Sequence, residues 1–338
     1  MTRRVSLRRT MTTSQLLSRY YRFFACADAV GKATEFMTPQ DIESNMGRIT
    51  GLVDPSKSIT HPDLPIWAVT DDTEQNLWLL RRYLSDGKVT IENTVSELVR
   101  WIEETGAVEK HYIGPSSLKA LQGIQAGEDP LKAGINGTTC GGIMRVPAAV
   151  FASILLNQDM KQCIYNALVC THNNSVALES AYAYAYALRF VIDNILAGKT
   201  HLNTMENIIS KAMTGSCIGL AKAPWRSASA SLNSRLQFLE ELDLENWSGE
   251  KLKSFLYGVM GTGLPSYETS AAVFCMNMYS DDPVRIMYLC AETGGDTDTI
   301  GALASSLASL RNLDSELPQD MVRTVVENNK LRDYLPEI

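Results

Sequence analysis

Two acidic clusters, more than two hundred residues apart, are the parts of this sequence best equipped for chemistry. The first is Thr70-Asp71-Asp72-Thr73, which opens an amphipathic stretch carrying Leu77, Leu80 and Leu84. The second is Gly294-Gly295-Asp296-Thr297-Asp298-Thr299, which opens the apolar run from Ile300 to Leu310. Both place carboxylates and hydroxyls where a helix begins, and Asp or Thr there is an ordinary cap for free backbone N–H groups. A cap needs only one side-chain oxygen, however. The second cluster offers several on a glycine-freed backbone, and adjacent acids repel one another, a cost that a divalent cation removes. Hard oxygen donors without Cys or His select Mg²⁺ or Mn²⁺ over zinc. Two such clusters brought together would suit a pair of ions about 4 Å apart. On spacing alone, capping and metal binding both stay open.

Two further stretches carry reactive or ligand-facing residue types. Asn136-Gly137-Thr138-Thr139-Cys140-Gly141-Gly142-Ile143-Met144-Arg145 stands directly before a helical run. Its glycines would let the backbone approach a ligand, its threonines offer hydroxyls, and a helix N-terminus attracts anions, so it reads as a phosphate cradle or as a plain interhelical turn. The other is Asp28-Ala29-Val30-Gly31-Lys32-Ala33-Thr34-Glu35-Phe36, at the end of an aromatic-rich helix. There an acid could be a buried polar partner, and Glu35 a surface residue. His172, after Thr171 at a helix break, reads as a hydrogen-bonding residue or a contributor to a substrate pocket.

The frame for these residues is helical. Leu16, Leu17, Tyr20, Tyr21 and Phe24 share one helix face. Thr38-Pro39 and Asp282-Pro283 each pair a cap with a proline in the first turn, and Thr94 with Glu97 reads as a capping box. Residues 148–197 contain neither Gly nor Pro, which predicts two or three helices broken near Asn157 and His172-Asn173-Asn174. The run Ala181 to Tyr186 alternates like a strand, but alanine and the long uninterrupted context favour helix. Lys57 to Pro65 and Lys222 to Trp225 read as loops. No βαβ rhythm, repeat or charged linker appears, so the expected architecture is all-α: a compact single-domain orthogonal helical bundle over 13–338, after a disordered basic tail at 1–12.

Composition narrows the function. Hydrophobic residues make up 45% of 338, and no apolar run is long enough to cross a bilayer. Seven scattered cysteines without a CxxC pair fit a reducing interior, and a cytoplasmic location is expected. Only four histidines leave little for a His-rich zinc site or a Ser-His-Asp triad. The six arginines before Asp28 meet no acid, which leaves 25 of the 31 basic residues against all 38 acidic ones, a poor surface for nucleic acid. The Arg- and Ser/Thr-rich stretch from Met1 to about Ser18 has the composition of a mitochondrial presequence, or of a tail before a start at Met11.

The order of the four elements resembles the ADP-ribosylglycohydrolase family. Its members open with G-D-A-x-G-x-x-x-E, matched by Asp28, Ala29, Gly31 and Glu35, and continue with T-D-D-T, present at Thr70 to Thr73. A loop ending G-G/A-x-M-R-x-x-P follows, similar to Gly141, Gly142, Met144 and Arg145, with Pro147 one place early. A T-H pair matches Thr171-His172, and G-G-D-T-D-T stands at Gly294 to Thr299. Ala27, Lys32 and Cys140 depart from the pattern, none of them at a metal position.

The resemblance implies an all-helical bundle holding two Mg²⁺ (or Mn²⁺) ions through Thr70, Asp71, Asp72, Asp296, Asp298 and Thr299. Thr138, Thr139, Gly141 and Gly142 would hold the diphosphate, with His172 in the substrate pocket. Glu35 would sit on a flexible segment closing over the site, and Asp71 or Asp72 would orient the attacking water or take its proton. The expected reaction cuts ADP-ribose from a modified protein or small conjugate. One rival is a haloacid-dehalogenase-like phosphatase read from Asp296-x-Asp298, but Glu292-Thr293-Gly294-Gly295 is no hydrophobic strand. The other is a silent ADP-ribose-binding or crystallin-like protein.

Overall fold

Helix starts in this chain are chosen by short polar side chains and proline, and most fall where those residues stand. A computed structural model describes residues 11–110 and 112–338. The N-terminal third holds α1 (Thr13–Gly31), α2 (Pro39–Met46), α3 (Asp71–Asp86), α4 (Ile91–Thr105) and α5 (Pro115–Gln125). The middle holds α6 (Pro130–Ala133), α7 (Val146–Leu155), α8 (Met160–Leu168), α9 (Ser175–Leu196) and α10 (Met205–Lys222). The last third holds α11 (Leu232–Glu240), α12 (Gly249–Phe255), α13 (Ser266–Tyr279), α14 (Pro283–Thr293), α15 (Thr297–Arg311) and α16 (Gln319–Asn328). Among the described residues there is no strand; Thr139 and Pro265 form one isolated bridge. The protein is all-α.

At the centre lies α15, buried from Thr297 to Leu310 and packed between α1, α13 and α14. Its small residues, among them Ala302, Ala304 and Ala308, let neighbouring helices approach closely, and its serines turn back on backbone carbonyls. Ser306 Oγ donates to Ala302 at 2.6 Å and Ser305 Oγ to Pro283 at 2.8 Å, so burial leaves neither hydroxyl unpaired. Buried apolar side chains from Leu16 to Ile338 form one contiguous cluster. Helix α9 carries the alternating Ala/Tyr run. There Tyr184 meets the Tyr20 hydroxyl at 2.7 Å and donates to the Leu303 carbonyl at 2.9 Å, tying α1, α9 and α15 together.

Two details differ from expectation. Thr94 and Glu97 do not form a cap, because α4 starts a turn earlier at Thr90, whose hydroxyl accepts the Asn93 N–H at 3.1 Å. Thr94 instead meets the Tyr83 hydroxyl at 2.7 Å, and Glu97 lies 3.5 Å from Arg81. Residues 1–10 of the expected tail lie outside the described residues. Thr12, placed in that tail, caps α1 in a reciprocal pair with Gln15, and Leu16 and Leu17 are already core. No described helix is long and apolar enough to cross a membrane.

Candidate metal centre

Three helix ends meet at one place. Asp28, in the last turn of α1, is fully buried and accepts the Thr70 N–H at 3.0 Å, the Thr70 hydroxyl at 2.9 Å and the Thr73 N–H at 3.2 Å. This carboxylate docks the first turn of α3 onto α1. Its burial raises its pKa, while the bonds from Thr73 and Thr70 and the nearby Lys32 oppose that rise. Asp28 is the residue that sequence reasoning left undecided.

The start of α15 arrives from the other side. A Cβ at Gly31 would stand 2.5 Å from the Asp298 Cα, so only glycine lets α1 and α15 touch here. Gly295 has φ +80, and a side chain there would meet the Thr262 carbonyl at 2.1 Å. Thr297 Oγ1 donates to the Gly31 carbonyl at 2.9 Å and accepts from Thr34 at 3.0 Å. The clusters meet where Thr70 Oγ1 stands 3.4 Å from Asp298 Oδ2, across 228 residues of sequence.

Capping explains one of these residues. Thr70 is the N-cap of α3, its Oγ1 accepting the Asp72 N–H at 3.3 Å. Asp296 occupies the N-cap position of α15 yet makes no side-chain cap bond. Asp71 Oδ2 accepts from the Gln75 amide at 3.0 Å, and Asp298 Oδ1 accepts the Thr299 N–H at 2.9 Å. Asp72 Oδ2 is buried without any hydrogen-bond partner. An orphaned carboxylate oxygen facing other carboxylates is costly unless a cation meets it.

Electrostatics tell the same story. Desolvation, followed by neighbouring carboxylates, pushes Asp71, Asp72 and Asp298 well above the usual carboxylate range. Burial and Glu35 push Asp296 up to about 7, against hydrogen bonds from Cys140, Thr299 and Asp298. Four carboxylates from α3 and α15, with the Thr70 and Thr299 hydroxyls, are the donor set a hard dication takes. The residues fit a divalent metal.

Four neighbours modify the sequence-based picture. Lys32 is buried, its ammonium bonded to the carbonyls of Ala29 (2.8 Å) and Ile66 (2.9 Å), with its pKa lowered to about 8 by burial. Cys140, expected away from the metal positions, lies buried against Asp296, and burial with those acids holds it as a thiol. The segment 31–34 expected to be flexible is a buried turn docked on α15. Glu35 follows it, just before Phe36, whose φ of 58 is left-handed. Its Oε2 lies 2.9 Å from His61 Nε2, a histidine that sequence reasoning passed over inside the 57–65 loop.

The glycine loop is anchored differently from the expected cradle. His172 is fully buried, its Nδ1 2.9 Å from Thr171 Oγ1 and its Nε2 3.0 Å from Thr139 Oγ1. Burial and Arg145 keep its ring neutral. It therefore supports the loop from beneath and has no face for a substrate, and a Cβ at Gly142 would press on its ring at 3.0 Å. Thr138, Thr139 and Gly141 stay partly exposed above it. A separate cavity of about 660 Å³ is lined by Arg48, Lys253, Tyr257, Arg285 and Glu292 among others. None of the clustered aspartates lines it, so this hollow is separate from where the charged donors gather.

A model of the ADP-ribosylglycohydrolase family matches residues 23–338. The chain is 27% identical over 303 residues to the uncharacterized protein YegU of Escherichia coli (strain K12), covering 88% of this chain and 87% of the relative. It is 25% identical over 318 residues to an uncharacterized protein of Archaeoglobus fulgidus, covering 93% and 91%. A solved structure described as an ADP-ribosylglycohydrolase-related protein complex superposes with a TM-score of 0.63 at 21% identity, covering 96% of this chain and 97% of that one. The chain belongs to the ADP-ribosylglycohydrolase family.

Proposed function

We propose that this protein hydrolyses the glycosidic bond joining ADP-ribose to a protein side chain or small conjugate. In this reading Thr70, Asp71, Asp72, Asp296, Asp298 and Thr299 hold two Mg²⁺ or Mn²⁺ ions. The observation that carries it is the gathering of four aspartates at two helix starts, with Asp296 making no cap bond and Asp72 keeping a buried, unpartnered oxygen. When bound, such a pair of ions supplies Lewis acidity to the sugar hydroxyls and to water.

The chain's own residues do the rest. Asp71, the more exposed of the α3 pair, takes the proton of the attacking water, while buried Asp72 stays with the ions. The water oxygen bonds to the anomeric carbon as the bond to the carrier nitrogen or oxygen breaks, and the departing atom is protonated from solvent. Positive charge growing on the ribose ring faces the carboxylates of both clusters. Thr138, Thr139, Gly141 and Gly142 position the diphosphate, with His172 holding their loop in shape.

Incubating the protein and Mg²⁺ or Mn²⁺ with a panel of ADP-ribosyl conjugates should release free ADP-ribose, detected by mass spectrometry. ADP-ribose bound in a calorimeter but released from no conjugate would make the protein a silent binder. Glu35→Gln should slow turnover at least about tenfold, a barrier change near 1.4 kcal/mol, with helicity and the ions held by the aspartate clusters retained. A surface glutamate would change stability by no more than about 0.5 kcal/mol and leave the rate alone; unchanged kcat and KM would remove Glu35 from the site.

A further inference from the structure

His61 has no role in the ligand set above, yet it is placed like a ligand. Ser58, buried in the same loop, accepts the N–H of His61 at 3.1 Å and of Thr60 at 3.3 Å. Ser58 in turn donates to the Lys32 carbonyl at 3.3 Å, on the segment that carries Glu35. The Tyr112 ring meets the imidazole edge-on, with centroids 5.8 Å apart. The imidazole is thus held from its backbone and its flank, with its side chain only 10% exposed.

What it faces is a set of donor atoms. One atom each from Glu35, His61 and Asp298 lies within 4.8 Å of the other two. The Nε2–Oε2 approach of 2.9 Å is an ion-pair contact that lacks the alignment of a hydrogen bond. A plain latch between a histidine and a glutamate would align its N–H on the carboxylate. Two donor atoms this close, with no N–H aligned between them, are placed to share a cation. Nearby, Asp72 Oδ2 is buried and has no hydrogen-bond partner.

We propose that His61 Nε2, with Glu35 and Asp298, binds one divalent transition-metal ion next to the aspartate clusters. The inference rests on the two-cluster metal reading only in sharing Asp298. One imidazole among carboxylates moves preference away from Mg²⁺, which takes nearly all-oxygen shells, towards Mn²⁺, Fe²⁺, Co²⁺ or Zn²⁺. This member of the family then differs from an all-oxygen centre in the metal it retains.

The test is pulsed electron paramagnetic resonance on the full chain loaded with Mn²⁺. Directly bound imidazole should give ¹⁴N modulation in the echo, replaced by a ¹⁵N pattern when the protein is grown with ¹⁵N-histidine. His61→Gln should abolish the nitrogen signal while Mn²⁺ stays on the aspartates, and should lower the preference for Mn²⁺ over Mg²⁺ at least about tenfold, about 1.4 kcal/mol. Bound Mn²⁺ without nitrogen coupling in the wild-type protein overturns the proposal, leaves His61 as the ion-pair partner of Glu35, and spares the aspartate centre. Coupling that survives in His61→Gln overturns it equally. If no Mn²⁺ binds, the proposal and the two-cluster reading fall together. The labelled wild-type protein decides the matter even if the variant folds poorly.

Discussion

Asp298→Asn and Asp72→Asn should each lower turnover at least about a hundredfold, a barrier change near 2.7 kcal/mol, and should do so without loosening the fold. Asparagine keeps the size of aspartate and caps a helix about as well. If these residues merely opened α3 and α15, the exchange would cost little. The local bond that Asp298 Oδ1 takes from the Thr299 N–H at 2.9 Å survives with an amide oxygen. The lost feature is charge. Burial and the neighbouring acids already disfavour that charge, so without metal each variant should melt at or above the wild-type temperature. Activity and stability then move in opposite directions, as expected where a strained site serves function. Steady-state kinetics on an ADP-ribosyl conjugate, with melting curves in chelator, check both signs. Near wild-type turnover in both variants would return the aspartates to helix-start duty.

The same pair of residues shows what the sequence made legible. Local rules reached the frame: Thr38 and Asp282 cap the helices that follow them, and the gaps at Asn157 and 172–174 separate α7, α8 and α9. These rules depend on neighbours within a turn, so one chain suffices. The Thr94/Glu97 misreading arose within the same range, because Thr90 with Asn93 offered a competing cap one turn earlier. The missing parts of the site are long-range. Nothing in 28–36 says that Asp28 meets Thr70 across 42 residues, that Lys32 is buried, or that His61 reaches Glu35. Cys140 beside Asp296 and His172 beneath Thr139 are likewise products of packing. The acid pattern could name candidate metal-binding types, while the residues packed around them required the fold.

Chelation should widen the gap between metal-loaded and metal-free melting temperatures as pH rises from 5 to 8. Asp71, Asp72, Asp296 and Asp298 all have folded pKa values raised above the unfolded value of about 3.9, Asp296 to about 7. A group raised in this way binds protons more tightly when folded. Its contribution to stability is fully present below the unfolded pKa and is lost as pH climbs through the folded pKa. The metal-free protein should therefore melt progressively lower from about pH 4 to beyond pH 7. A dication needs the ionised carboxylates, so its contribution grows over that same window. At a free metal concentration a hundred times the dissociation constant, binding adds about 2.7 kcal/mol, which for a chain of this size is roughly 4 °C. Scanning fluorimetry at pH 5, 6.5 and 8, in chelator and in excess Mg²⁺ or Mn²⁺, measures the gap directly. Asp298→Asn should flatten the metal-free slope and shrink the gap together, because one raised carboxylate underlies both. Parallel curves with and without metal across the pH range would mean that no cation sits among these aspartates, and activity surviving exhaustive chelation would say the same of the chemistry.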